Sequence, residues 1–301
     1  MQPTRLLDKL GHRGYGDDNR CALHNADSRR GGMQMNTQSI AGGRGAASPE
    51  GMSEAEWQIR CDLAACYQLT DLYGMSDLTA NHISARLPGP DHHFLLNRFG
   101  MLFDEITASS LVRIDADGNV IGGDAAQMNY AGFVIHGAIH MACPELLCVM
   151  HTHTNANNAV AMLREGLMPL TQKAMTIWHF LRYHDYEGPA VELGERERLV
   201  RDLGADGRVM ILRNHGALTV GRSIPEAFVW MFRLEQACRQ QVEGLSCGRD
   251  LNPLSEDLIR KSVEVCVKGI PGSVGATQMG NRDWPALLRK LERERGTSYR
   301  T

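Results

Sequence analysis

Apolar residues recur at helical spacing in several stretches of the chain, and these stretches predict helices. In EWQIRCDLAACYQLTDLYG they lie three or four residues apart, with a Ser-Glu-Ala-Glu capping box at Ser53 and with Gly74 suited to the C-cap. The same spacing marks NYAGFVIHGAIHMAC, which stops before Pro144, then ERERLVRDLG, and finally SIPEAFVWMFRLEQACRQQVEG with Ser223 as N-cap. NANNAVAMLRE predicts one more helix, capped by an Asn or Thr side chain.

Shorter apolar runs between these helices predict strands. ANHISARLPGPDHHFLLN is interpreted as two strands around a Pro-Gly-Pro-Asp turn, and LVRIDADGNVIGG as a second pair around Asp-Gly-Asn. LLCVM is bulky and apolar at every position, which is typical of a strand buried on both faces, and RVMILRNHGALTVG predicts a strand, a tight turn and a strand. The pattern as a whole indicates an α/β fold.

The ends of the chain differ from its middle. Residues 1–50 are rich in Gly, Ser, Arg and Gln and follow neither the helical nor the strand period, so we expect a disordered N-terminal extension. Residues 51–250 carry the periodic segments and are the expected folded domain. Residues 251–301 are interpreted as a short helical tail rather than a second core.

Composition excludes some classes of function. A chain of 301 residues suits one large domain, and a formal net charge of -3 offers no basic face for nucleic acid. No apolar run approaches the roughly 20 residues of a membrane helix, and the N-terminus lacks the apolar core of a signal peptide. The eight cysteines form no CxxC pair and are expected to be reduced. We therefore expect a cytoplasmic protein without a membrane partner.

Two histidines follow the predicted buried strand LLCVM. Residues two apart on a strand lie on the same face, so His151 and His153 can direct both imidazoles at one point. Such a pair suits Zn, Fe, Ni or Mn, and a third ligand would complete a catalytic site with room for a substrate. The alternative is that both are hydrogen-bonded loop histidines.

The candidate third ligand is His215. The apolar run ILR ends at Asn-His-Gly, where Gly216 lets the backbone turn tightly and leaves His215 at a strand end. On spacing alone, a lone histidine before Gly is more often a turn residue than a metal ligand.

Four sequence features, taken in order along the chain, resemble those of the class II aldolase and adducin family. They are NHIS at residues 81–84, an IT-x-x-x-L segment at residues 106–111, a helix before the His-Thr-His sequence, and Asn-His-Gly before a long helix. The resemblance spans about residues 53–245. It implies a three-layer α/β/α fold around a mainly antiparallel sheet, a small-molecule substrate and a homotetramer with active sites at subunit interfaces.

The resemblance also implies a divalent metal and its ligands. In the sugar-phosphate aldolases of the family, the His-x-His pair and the histidine of Asn-His-Gly hold zinc, and the matching positions are His151, His153 and His215. Zinc is therefore the expected metal, and manganese or iron would also accept three imidazoles.

One family feature is missing from this chain. The sugar-phosphate enzymes carry Ser-Ser-Glu at the start of the helix before His-x-His, where the serines hold phosphate and the glutamate is the acid/base. The matching positions here are Tyr130, Ala131 and Gly132. His136, one helical turn beyond Gly132, and Tyr130 are the candidate catalytic replacements, and His140 extends the same stripe. The alternative for His136 is a buried histidine bonded to the backbone.

Without the serines, a non-phosphorylated substrate fits better than a sugar phosphate. Asn81 stands where the family loop contacts phosphate and is the candidate substrate-binding residue. Three further cations could neutralise an anion or lie at the surface: Arg86, Arg98 and Lys173. The YHDYEG stretch brings three polar residues into one predicted loop, where packing and turn formation are the simpler interpretation: His184, Tyr186 and Glu187.

These residues lead to three functional hypotheses. The first is a metal-dependent lyase of class II aldolase type, which cleaves or decarboxylates a small hydroxy or oxo acid. The second uses the same three histidines with Fe(II) as an oxygenase. The third is a binding module like the adducin head domain, which acts in the cytoskeleton without catalysis.

Overall fold

A computed structural model describes residues 48–121, 130–188, 194–269 and 279–301. Most of the predicted N-terminal extension therefore lies outside the described residues. Eight α-helices are described, and we number them in chain order: α1 Glu54–Leu72, α2 Tyr130–Ala142, α3 Asn155–Met162, α4 Gln172–Ile177, α5 Glu195–Leu203, α6 Ile224–Ser246, α7 Glu256–Lys268 and α8 Asp283–Arg295. Seven strands lie between them: β1 His82–Arg86, β2 Phe94–Leu96, β3 Val112–Ile114, β4 Cys148–Thr152, β5 Leu181–His184, β6 Val209–Leu212 and β7 Gly216–Gly221. Short 3-10 helices occur at three places: Phe103–Glu105, Trp178–Phe180 and Ser298–Arg300.

The seven strands form one sheet in the order β3-β2-β1-β4-β7-β6-β5. Only β5 and β6 are parallel, and every other neighbouring pair is antiparallel. The fold is therefore α/β with a mainly antiparallel sheet, as predicted. Strand β4 is central and all five of its residues are buried. The prediction of a buried strand in LLCVM is confirmed from Cys148 onward, whereas Leu147 precedes the strand and is 40% exposed.

Helices cover both faces of the sheet. On one face, Ile83, Met150 and Ile211 pack with the apolar sides of α1 and α6 in the larger core. On the other face, Val149 and Leu218 pack with α2 and α5. Because consecutive strand residues point to opposite faces, uninterrupted apolar runs such as LLCVM can supply both cores at once. The predicted three-layer arrangement is confirmed.

Side chains that can accept a hydrogen bond begin the predicted helices. The hydroxyl of Ser53 accepts from Glu56 N, that of Thr154 from Asn157 N, and that of Ser223 from Glu226 N. Each hydroxyl satisfies a backbone N–H that has no partner within its own helix. The cap of α3 thus resolves the choice between Asn and Thr in favour of Thr154.

The second predicted strand pair forms only in part. Strand β3 pairs with β2, but beyond the Asp-Gly-Asn turn only one isolated bridge joins Ile114 to Val120. The carboxylate of Asp115 accepts from the backbone N–H groups of Asp117 and Asn119, at 2.9 and 2.8 Å. This local side-chain turn occupies N–H groups that a longer ladder would use. Residues 122–129, where the prediction ended, lie outside the described part.

The last helices pack on the main core. Trp284 in α8 donates from Nε1 to Asp62 of α1 at 3.0 Å. Tyr299 is 1% exposed, and its carbonyl accepts from Ala108 N at 2.9 Å. The C-terminal residues therefore hold the loop that precedes β3. No helix in the described segments has the length and apolar character needed to cross a membrane.

Candidate metal centre

The sheet brings three histidines from distant parts of the chain together. His151 lies in β4 and His153 directly after it, while His215 lies in the turn between β6 and β7. Because β4 pairs with β7 in a register that sets Thr152 opposite Ala217, the turn ends beside the His-Thr-His sequence. The Nε2 atom of His153 lies 2.7 Å from that of His151 and 3.1 Å from that of His215.

Gly216 permits this close approach. A Cβ atom at this position would lie 2.5 Å from the carbonyl oxygen of Thr152 and 2.9 Å from the ring of His153. The preceding Asn214 has a φ of 56°, a left-handed conformation that asparagine tolerates better than most residues. The backbone therefore favours Asn at position 214 and requires Gly at position 216, and the turn between them brings His215 to the cluster.

In two of the three rings, the Nδ1 atom is hydrogen-bonded to an oxygen atom outside the cluster. His151 Nδ1 lies 3.0 Å from the carbonyl oxygen of Ala217, and His153 Nδ1 lies 3.2 Å from a carboxylate oxygen of Asp77. A carbonyl and a carboxylate only accept, so both Nδ1 atoms donate and both Nε2 atoms carry lone pairs. Two lone pairs that face each other at 2.7 Å repel unless a cation lies between them.

Burial keeps the rings of His151 and His215 neutral near pH 7. It lowers the pKa of His151 well below its usual value, and the neighbouring His82, His153 and His215 lower it further. Burial and His153 lower the pKa of His215 to about 4. Neutral imidazoles with converging lone pairs are the form that binds a metal ion. The three histidines fit a divalent metal, and their ligand atoms all lie within 4.8 Å of one another.

Asp77 belongs to this centre and was not among the predicted residues. Its sequence context, MSDLTAN, follows no metal-ligand spacing, and it lies 76 residues before His153. The next residue, Leu78, has a φ of 44° although it is not glycine. A strained backbone beside a carboxylate that orients a ligand histidine is a common feature of functional sites.

His136 and Tyr130 occupy different environments. His136 is 2% exposed and is bonded to side chains, to His82 at 2.9 Å and to Ser84 at 2.8 Å, rather than to the backbone. Tyr130, at the first position of α2, is 53% exposed, and its ring centroid lies 6.3 Å from that of Phe133. Among the described contacts, none links Tyr130 to the three histidines.

His82 lies closer to the cluster than His136 does. It faces His151 across the β1–β4 pair, and the two ring centroids are 5.0 Å apart. A Cβ atom at Gly132 would lie 2.9 Å from the Cγ atom of His82. The ring of His82 thus occupies the space that a side chain at position 132 would need. No local pattern in the sequence indicates this exchange, because the two positions are fifty residues apart.

The side chain of Asn81 is fully buried beside His82. Neither its amide nitrogen nor its amide oxygen has a hydrogen-bond partner among the described residues. A buried amide without partners is costly, which is consistent with a polar group being supplied by a ligand.

The other candidate residues lie outside the cluster. Arg86 donates to the backbone carbonyl of His140 and contacts His92, whereas Arg98 and Lys173 are exposed. His184 ends strand β5, is buried, and bonds Asp202 at 2.7 Å, so it is not in a loop as predicted.

Tyr186 and Glu187 follow β5 near His215. The Tyr186 ring centroid lies 6.4 Å from that of His215, and both residues line one small cavity. Glu187 pairs with Arg198, which lowers the pKa of the Glu187 carboxyl. A wider groove of about 480 Å³ continues from this cavity past Arg213 and Arg164.

The sequence matches known proteins over most of its described length. Residues 61–242 match the profile of the Class II Aldolase and Adducin N-terminal domain. A protein of Caulobacter vibrioides that is named as a class 2 aldolase is 49% identical to this chain over 247 residues. The match covers 81% of this chain and 92% of that protein. Alpha-adducin of Rattus norvegicus is 38% identical over 256 residues, which cover 82% of this chain and 34% of the adducin.

Solved structures share the fold. A crystal structure of an aldolase II superfamily protein from Pseudomonas syringae superposes with a TM-score of 0.75 at 46% identity, over 83% of this chain and 98% of that one. L-fuculose 1-phosphate aldolase from Glaciozyma antarctica gives a TM-score of 0.70 at 27% identity, over 84% and 97%. The chain belongs to the class II aldolase and adducin family.

Proposed function

We propose that this protein is a metal-dependent lyase that cleaves or decarboxylates a small, non-phosphorylated hydroxy or oxo acid. The observation that carries the proposal is the convergence of three Nε2 atoms. In His151 and His153 the hydrogen bond at Nδ1 leaves a lone pair on Nε2. A cluster that served only packing would place a donor between these nitrogens. His215 completes the set and lines the small cavity beside Tyr186.

The three histidines would hold the metal, and zinc is the metal that we expect. A divalent ion bound there supplies positive charge to the oxygen atoms of a hydroxy or oxo acid as a C–C bond breaks. Asp77 keeps the His153 ring in the tautomer whose Nε2 can bind. The Ala217 carbonyl does the same for His151.

Two features favour an acid over a sugar phosphate. Residues 130–132 are Tyr-Ala-Gly and lack the two serines and the glutamate of the sugar-phosphate enzymes, and the His82 ring fills the space beside Gly132. Arg164 and Arg213 instead line the groove that continues from the cavity at His215, beside one acidic residue, Asp185. A carboxylate on the substrate would complement the two arginines. Asn81 is the proposed substrate contact, since its buried amide lacks partners in the described structure.

Elemental analysis of the purified protein tests the proposal. We expect near-stoichiometric divalent metal in the wild type and its loss in His153→Ala and His215→Ala. His179→Ala is the matched control, because His179 is exposed on a 3-10 helix away from the cluster and should leave the metal content unchanged. A wild type that neither contains nor takes up metal would contradict the proposal.

The same measurement separates the two other candidate functions. Iron in place of zinc would favour an Fe(II) oxygenase, because three neutral ligands leave positions open for oxygen chemistry. Absence of metal would favour a binding module, which the 38% identity to alpha-adducin supports. The chain spans about a third of the length of that adducin.

We further propose a homotetramer located in the cytoplasm. Family membership supports the oligomer, and exposed apolar residues such as Leu78 and Phe99 are available for subunit contacts. Light scattering during size-exclusion chromatography gives the assembly mass directly. A monomer across the micromolar range would overturn the tetramer.

A further inference from the structure

A buried histidine outside the three-histidine cluster lies on the wall of the small cavity beside Tyr186. His184 is 4% exposed, and its Nδ1 atom lies 2.7 Å from a carboxylate oxygen of Asp202 in α5. Because a carboxylate only accepts, Nδ1 donates, and in the neutral ring the lone pair is on Nε2. Among the described residues this buried Nε2 atom has no hydrogen-bond partner.

The first residue of α5 faces this nitrogen atom. A carboxylate oxygen of Glu195 lies 3.6 Å from His184 Nε2, and Glu195 is 9% exposed. A hydrogen bond between the two atoms would span about 2.7–3.2 Å, so they are too far apart to form one. Within the described segments, the Glu195 carboxylate makes no hydrogen bond to another side chain. A buried nitrogen and a buried carboxylate therefore face each other across a gap.

The gap has the width that separates two ligands of one metal ion. Nitrogen and oxygen ligands lie about 2.0–2.2 Å from Zn²⁺, so two of them at the tetrahedral angle are about 3.4 Å apart. The distance between His184 Nε2 and the Glu195 oxygen is 3.6 Å. A histidine that binds a metal commonly donates its other ring N–H to a carboxylate, and Asp202 accepts from His184 in this way.

The cavity that both residues line limits the size of what can bind there. Its volume is about 10 Å³, close to the space that one water molecule needs, so a single metal ion fits and a larger organic group does not. Part of the wall is apolar and cannot solvate a charge: Ile135, Leu199 and Leu212. A buried carboxylate without a close partner is costly, and an ion between Glu195 and His184 would compensate its charge.

The charged groups on the wall of this cavity favour a cation. Three carboxylates and one guanidinium line it: Asp185, Glu187, Glu195 and Arg213. Glu187 is paired with Arg198. The Nη1 atom of Arg213 donates to the carbonyl oxygen of Leu163 at 2.7 Å. The guanidinium of Arg213 is therefore directed to the backbone, and a cation at Glu195 would balance the excess of negative charge.

We propose that His184 Nε2 and the Glu195 carboxylate hold a second divalent metal ion, with Asp202 as the residue that positions the His184 ring. One imidazole and one carboxylate suit Zn²⁺ or Mn²⁺. Two protein ligands leave the other coordination positions to water, so the ion is bound more weakly than at the three histidines and is lost on dialysis. The site does not depend on the proposed lyase function. Because His215 lines the same cavity, the ion adds positive charge on that side of the first centre.

Zinc binding to the metal-free protein tests the second site. The full chain is stripped with a chelator, dialysed against increasing concentrations of Zn²⁺ and analysed for bound zinc. We expect two equivalents per chain in the wild type, one tight and one weaker. Glu195→Gln, which keeps the shape of the side chain, and His184→Gln should each lose the weaker equivalent and keep the tight one. Asp202→Asn keeps both ligands and should weaken the second equivalent by about 10- to 100-fold.

Two further variants serve as controls. Glu197→Gln removes an exposed carboxylate from the same helix, α5, and should still bind two equivalents. His153→Ala should lose the tight equivalent and keep the weaker one. Thermal unfolding recorded on the same samples shows whether each variant is folded.

The outcomes separate this site from the proposed function. A wild type that binds only the equivalent removed by His153→Ala would overturn the second site and leave the three-histidine centre standing. A second equivalent that persists in both Glu195→Gln and His184→Gln would lie elsewhere on the protein, which also contradicts the proposal. A wild type whose zinc is lost in Glu195→Gln but not in His153→Ala would support the second site and contradict the first centre.

Anomalous diffraction locates the ion without any substitution, and it decides the question if the variants fail to fold. Crystals of the wild type grown with Zn²⁺ are measured at the zinc absorption edge. We expect one anomalous peak at the three histidines and a second one about 2.0–2.2 Å from both His184 Nε2 and the Glu195 carboxylate. Zinc peaks that leave His184 and Glu195 without a bound ion would overturn the proposal.

Discussion

The Nδ1 atom of His153 donates to a carboxylate oxygen of Asp77 over 3.2 Å. This bond connects the end of β4 to the loop before β1, 76 residues earlier in the chain. It fixes which ring nitrogen of His153 is free to bind a metal ion, because a carboxylate only accepts and Nδ1 must therefore carry the proton. The proposed metal centre therefore extends beyond its three ligands.

Asp77→Asn should weaken metal binding without removing a ligand. An amide can present its NH₂ group to His153 Nδ1, which favours the wrong tautomer, so we expect a loss of about 10- to 100-fold in affinity. Competition with a chromophoric chelator measures the change. Asp91→Asn, at an exposed turn position, is the control. Equal affinity in both variants would show that Asp77 does not orient the ligand.

Gly132→Ala should act through His82. The added Cβ would lie 2.9 Å from the His82 ring, so the ring has to move and the His82–His136 bond should break. We expect a destabilisation of about 1–3 kcal/mol. Urea unfolding gives the free energy.

Gly244→Ala is the matched control for that substitution. Gly244 is also a helical glycine, but nothing lies within 4 Å of the position that its added methyl group would take. Removing backbone freedom in a helix should stabilise the protein by about 0.5–1 kcal/mol. If Gly132→Ala stabilised the protein to the same degree, His82 would not be packed against position 132.

The fold follows from local signals to a large extent. The caps at Ser53 and Ser223 and the apolar run of β4 are readable from the sequence because they depend on neighbours within a few residues. After β3 the described residues show a single bridge, from Ile114 to Val120, around the turn that the Asp115 carboxylate holds. Strand length is thus harder to predict than strand position.

The candidate site was predictable only where one strand or turn carries it. His151 and His153 share a strand end, and the turn at Gly216 marks His215. Asp77 and His82 depend instead on β1 pairing with β4 in one register and on the missing side chain at Gly132. Such contacts between distant positions leave no periodicity in a single sequence. The sequence therefore indicates His136 as a candidate catalytic residue and gives no sign that His82 lies beside the cluster.

Acid should destabilise the protein partly through His140. Its pKa is about 3 in the folded state, against 6.5 for the free side chain, because burial and Arg86 disfavour the charged ring. The unfolded chain therefore binds the proton first, so stability is complete above pH 6.5 and is lost as the pH falls toward 3. Between pH 7 and pH 5 this one group should remove about 2 kcal/mol.

His140→Gln tests that assignment. The variant should be less stable at pH 7, because Ser84 loses its acceptor, yet the difference between its unfolding free energies at pH 7 and pH 5 should be smaller by about 2 kcal/mol. His179→Gln, at an exposed position, should retain the wild-type difference. Urea unfolding at both pH values is the measurement. An unchanged difference in His140→Gln would mean that His140 is not the group that titrates.

Tyr299 should stabilise the fold although it lies close to the end of the described chain. Its ring is 1% exposed in the main core, and its carbonyl accepts from Ala108 N in the loop before β3. Truncating a large buried aromatic side chain leaves a cavity, so Tyr299→Ala should cost about 3–5 kcal/mol in urea unfolding. Tyr130→Ala removes a ring that is 53% exposed and should change stability by about 0.5 kcal/mol or less. If the two variants were equally stable, the C-terminal residues would not be part of the folded core.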